Sequence, residues 1–124
     1  MTLESIVPSL ADCKRIPEGA FTESALVYVH FGFSCQEYGV ACRDNCHHAD
    51  VIIPAPTLAE IMDILPRPTR DSYGCIRKWI SLQRNPENEE WIIAYHNENI
   101  AYSDTNPATA ALRLWERINN KEKV

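Results

Sequence analysis

Cys35, Cys42, Cys46, His47 and His48 crowd into one stretch of the chain and offer the thiolate and imidazole ligands that zinc takes in tetrahedral sets. Three cysteines and one histidine would close a structural site. The spacing argues the other way, because such sites usually present two ligand pairs, each with members two to four residues apart. Cys42 and Cys46 make one pair; Cys35 and a neighbouring histidine would have to complete the other. The expectation is therefore a chain without a cofactor, with zinc on these five residues as the alternative. A nucleophilic cysteine would need a base at hand and a lowered pKa. His30, His47, His48 and His96 are the candidate bases, but no nucleophile turn surrounds any thiol. Gly19, Gly32, Gly39 and Gly74 do not fall at the spacing of a phosphate-cradling loop. No catalytic residue is expected, and the chain reads as a non-enzyme.

The charges suggest binding rather than reaction. The chain carries −5 overall, yet residues 67–84 hold five basic groups (Arg67, Arg70, Arg77, Lys78, Arg84) against Asp71 alone. Residues 1–66 hold nine acidic and three basic side chains, and residues 85–124 hold seven and four. An acidic chain repels nucleic acid at long range, although a local basic stripe still meets phosphate. Trp79 shares its strand face with Arg77, Ser81 and Gln83, whereas Trp91 and Trp115 have apolar neighbours and read as core. A tryptophan among arginines is the kind of residue that anchors an interface. The expected partner surface is Trp79, Arg77, Arg84, Lys78 and Arg70, and the expected partner is another protein. The alternative is a nucleic-acid-binding module built on the same basic stripe.

These residues must be positioned by a single domain, since 124 residues bury a real core without needing a second one. Residues 1–24 are poorly patterned, with Pro8 breaking the helical spacing of Leu3, Ile6, Val7 and Leu10. Residues 25–33 read as a strand covered on both faces, with Val27 and Val29 on one and Leu26 and Tyr28 on the other. Residues 34–50 form a Cys/His-bearing loop. Val51, Ile52 and Ile53 then lead into Pro54-Ala55-Pro56. Thr57 and Glu60 form a capping box that opens a helix over 57–65, with Leu58, Ile61, Met62 and Leu65 on its apolar stripe. Strands follow at 76–84 and 91–97 around Asn85-Pro86-Glu87-Asn88, with a third at 100–103. Asn106-Pro107 starts a last helix that runs to about 119 and buries Ala108, Ala111, Leu112, Trp115 and Ile118. Residues 120–124 are expected to fray.

Two amphipathic helices and an antiparallel strand set predict an α+β two-layer sandwich. Its sheet would have three or four strands, 25–33 among them, with both helices on one face and 54–120 as the helix–strand–strand–helix core. That element order matches a double-stranded-RNA-binding domain, but the start of the last helix, Asp104 to Thr109, holds no basic residue to grip phosphate. The odd cysteine count forbids a complete disulfide set. No apolar run approaches the length of a membrane span or a signal sequence, so a cytoplasmic protein without membrane contact is expected. Sheet edges that need covering predict a homodimer.

Three segments carry a resemblance: Pro56-Thr57-Leu58-Ala59-Glu60-Ile61-Met62-Asp63-Ile64-Leu65-Pro66, then Trp91-Ile92-Ile93-Ala94-Tyr95, then Ala110-Ala111-Leu112-Arg113-Leu114-Trp115. Over residues 54–120 the chain resembles small proteins found in bacteriophages and prophages of gut bacteria. Those proteins have no established reaction. The resemblance implies a small accessory protein, located in the host cytoplasm if phage-encoded, and brings no catalytic residue with it.

Overall fold

The computed structural model describes residues 3–30, 39–45, 51–65, 69–70, 72–74, 76–77, 80–96 and 99–122. Its architecture is α+β. Strand β1 (Leu26–His30) lies between β2 (Gly39–Cys42) and β3 (Val51–Pro54) in one antiparallel sheet. A second antiparallel sheet holds β6 (Ile80–Arg84), β7 (Trp91–Tyr95) and β8 (Ile100–Asp104) in chain order. Between them in sequence stands a small hairpin of β4 (Thr69–Arg70) and β5 (Ile76–Arg77). The helices are α1 (Leu10–Cys13), α2 (Leu58–Ile64) and α3 (Pro107–Glu122).

The expected single sheet is thus divided into two three-stranded sheets and the β4–β5 hairpin among the described residues. The 25–33 strand is expected to join the sheet of the later strands, but both edges of β1 are taken by its own chain neighbours. Val27 stands opposite Ala41 on one side and Pro54 on the other. Short connections close at small entropic cost, and they occupy both ladders of β1 before a distant strand can. The lead at Val51 to Ile53 is itself a strand, and the amide of Ala55 extends the pairing to the Leu26 carbonyl (3.1 Å).

Alternation decides which side chains enter the core. Leu26 and Tyr28 point into the main cluster, while Val27 and Val29 pack with Ala41 on the other face. Ile93 and Tyr95 point inward from β7, joined by Ile80 and Leu82 of β6 and by Ile100 and Tyr102 of β8. Helix α3 lies over β7 and β8, and α2 packs beside α3. Thr57 and Glu60 form the expected capping box: the Glu60 amide donates to Thr57 Oγ1 (3.3 Å) and the Thr57 amide to Glu60 Oε1 (2.8 Å). The other Glu60 oxygen accepts from the amide of Ala25 (3.1 Å), so one carboxylate joins the start of α2 to the entry of β1.

Residues 3–24 are far more integrated than their patterning suggests. Pro8 separates a 3₁₀ turn at Leu3–Ile6 from α1, and Val7, Asp12 and Cys13 are all buried. The Tyr28 hydroxyl donates to the Pro8 carbonyl (2.7 Å). Arg43 donates to the Ser24 carbonyl and Oγ (2.8 and 2.9 Å), which braces the turn before β1. Helix α3 also runs past its expected end, to Glu122. It buries Thr109, Ala110 and Leu114 as well as the expected Ala108, Ala111 and Leu112, with Trp115 and Ile118 partly buried, because sheet, α2 and amino-terminal segment surround it on several sides.

Candidate functional site

The basic segment forms the β4–β5 hairpin and then β6. Thr69 stands opposite Arg77, and Arg70 opposite Ile76. At the turn, Gly74 takes a left-handed conformation (φ +82°) that a residue with a Cβ rarely adopts, and it lets two very short strands close. Tyr73 beside it is 91% exposed. The other large apolar residues that reach the surface, such as Ile64 at 53%, keep far more of their area covered.

Arg84, at the end of β6 opposite Trp91, is exposed. It borders an open hollow with Pro86 and Glu89. The turn that follows carries Glu87, Glu89 and Glu90, and the Glu89 carboxylate shares the hollow with Arg84. Of the expected partner surface, the backbone of Arg70 and Arg77 and the whole of Arg84 are described. Lys78 and Trp79 lie outside the described residues, as does Arg67 of the basic stripe. Tyr73 was not singled out in the sequence, although a tyrosine before glycine in a basic, turn-rich stretch carries that signal.

Of the possible zinc ligands, Cys42 closes β2 with an exposed thiol. Cys35, Cys46, His47 and His48 lie outside the described residues. Among the described residues no group of three or more His, Cys, Asp or Glu stands close enough to hold a metal. Cys13 is the opposite of Cys42: burial, then the neighbouring Asp12 charge, push its thiol up to about 12, so it stays protonated and inert at neutral pH.

Register brings together one pair that sequence spacing could not show. Ser81 lies opposite Ala94, and the Ser81 hydroxyl meets His96 Nε2 at 2.7 Å across the β6–β7 ladder. A serine beside an imidazole is the start of a nucleophile–base arrangement. The same contact is also what a diagonal cross-strand pair gives on an open sheet face.

The densest polar site joins the two ends of the chain. Asp12 is 2% exposed and receives four side-chain contacts. Ser9 Oγ donates at 2.5 Å, Arg15 Nη2 at 2.5 Å, and Arg113 holds both carboxylate oxygens through Nε (3.1 Å) and Nη2 (3.3 Å). Burial alone would raise the Asp12 pKa; the hydrogen bonds from Arg113 and Ser9 and the Arg113 charge outweigh it and hold the carboxyl below its ordinary value. Asp104 joins Arg113 at 3.5 Å, and Glu116 joins Arg15 at 3.4 Å. Beside this clamp, the Ser9 amide donates to Thr109 Oγ1 (3.0 Å) and Asn106 Nδ2 to the Val7 carbonyl (2.6 Å). Asn106 also caps α3, its Oδ1 accepting from the amides of Ala108 (2.9 Å) and Thr109 (3.4 Å).

No helix among the described residues is long and apolar enough to cross a membrane. No protein-family model, curated protein or solved structure matches this chain.

Proposed function

We propose that this is a small accessory protein of phage or prophage type that acts in the cytoplasm by binding another protein and catalyses no reaction. The observation that supports this most is Tyr73, a large amphipathic ring held almost wholly in solvent at the tip of a hairpin within the basic segment. Tyrosine supplies broad contact area at small entropic cost, which suits it to anchor a partner. The five basic groups of residues 67–84 favour a partner with an acidic surface. Glu89, which lines the same hollow as Arg84, weighs against a phosphate backbone as that partner.

Self-association through β3 accompanies this reading. β3 is paired only with β1 among the described residues, and it presents Val51 and Ile52 at 38% and 43% exposure. An uncharged edge with exposed aliphatic residues invites pairing with another strand.

Affinity capture from the source cell, comparing wild type with Tyr73→Ala and Trp79→Ala, tests the reading. A specific protein recovered by wild type and lost with either substitution is the expected result. Specific recovery of nucleic acid, with affinity that falls steeply as salt rises, would replace it with the alternative. Light scattering that reports a monomer at high micromolar concentration would remove the self-association.

A further inference from the structure

A hollow of about 240 Å³ lies against the Asp12 clamp, lined by Arg15, Tyr102, Arg113, Glu116, Arg117 and Asn120. Four of these come from α3, where positions 113, 116, 117 and 120 fall on one helix face. Arg15 reaches it from the turn after α1, and Tyr102 from β8. The walls therefore carry three guanidinium groups and one carboxylate, beside a phenol and an amide.

Two of the three guanidiniums are held in place from behind. Asp12, almost fully buried, grips Arg113 through both oxygens and Arg15 through one, and it is not itself part of the lining. These contacts and those to Glu116 run through Arg15 Nε and Nη2, and they leave the two Nη1 donors of Arg15 outside them. Arg117, exposed, is not part of the Asp12 clamp. Fixed guanidiniums lose little entropy when they bind, and their fork geometry matches the paired oxygens of carboxylate and phosphate.

We infer that this hollow is a binding site for a small oxyanion, either free or carried on a small molecule as a phosphate or carboxylate group. The ligand takes its hydrogen bonds from Arg15, Arg113 and Arg117, with the Tyr102 hydroxyl and the Asn120 amide as neutral donors at the rim. The site lies on the face where the chain ends meet and does not depend on the Tyr73 hairpin.

The test is a titration of the full chain with inorganic phosphate and, separately, acetate, at constant ionic strength set with sodium chloride. It is followed through backbone amide resonances. Saturable shifts confined to residues 15, 102 and 113–120, with half-saturation in the millimolar range, are expected for at least one of the two ions. The ion that binds more tightly identifies the oxyanion class. Arg117→Gln, which leaves the clamp whole and the melting temperature unchanged, should weaken binding about tenfold, as loss of one charged hydrogen-bonding partner does. Absence of saturable shifts with both ions up to about 10 mM, where any site of useful affinity would be filling, overturns the inference. So does binding that Arg117→Gln leaves unaltered.

Discussion

The amino-terminal segment and the turn of the β4–β5 hairpin stand at opposite ends of exposure. Residues 7–16 have a single four-residue helix, yet they bury Val7, Asp12 and Cys13 and tie themselves to α3 through Asp12, Ser9 and the Val7 carbonyl. The hairpin has two paired strands, and it places Tyr73 in solvent. Backbone pairing satisfies backbone groups wherever it occurs, whereas stability follows chiefly the apolar area removed from water. The first segment is therefore tied into the fold, while the described turn of the second, residues 72–74, is exposed.

That contrast breaks most easily at Asp12. Asp12→Ala strips the common partner from Arg15 and Arg113 and should cost about 2 kcal/mol, as losing charge-assisted hydrogen bonds does when both cations stay part-exposed to water; urea unfolding measures it. A loss under about 0.5 kcal/mol, the range of ordinary surface changes, would mean the clamp is ornamental. The acid limb of stability sharpens the same point. Because the folded Asp12 pKa is depressed, its contribution is complete above the unfolded carboxylate value of about 3.9 and fades as pH falls through the folded value. Asp12→Asn should be less stable than wild type at neutral pH and should lose less of its remaining stability on acidification below about pH 4.

A smaller effect is expected at Asn106, which caps α3 with its oxygen and holds the Val7 carbonyl with its nitrogen. Asn106→Ala should cost about 1–2 kcal/mol, the upper range for losing an N-cap. Faster hydrogen exchange at residues 7–13 in that variant would show that the cap also secures the amino-terminal segment; exchange unchanged there would confine its role to the helix. Tyr73→Ala should be the mildest, within about 0.5 kcal/mol of wild type in the same unfolding assay. A larger loss would place the hairpin among the elements that hold the fold and would weaken its claim to be a contact surface.

Much of the carboxyl-terminal half was legible in the chain. The Thr57–Glu60 box, the Asn106 cap with Pro107, and the alternation of Ile93 and Tyr95 are local signals, read from residues within a few positions of one another. Leu114 escaped this reading because helical periodicity marks one apolar stripe, and α3 is enclosed on more sides than one.

What the sequence determined by itself was the α+β class, the starts of α2 and α3 and the charge asymmetry around residues 67–84, because these follow from propensity, capping and composition over short spans. Tertiary structure alone decided three things. It set β1 in a sheet apart from β6–β8, since β1 finds both partners among its chain neighbours. It brought Ser81 to His96 through register. It also joined Asp12 to Arg113 across nearly the length of the chain. A buried carboxylate must find its cations wherever the fold brings them, and no spacing within the sequence records that distance.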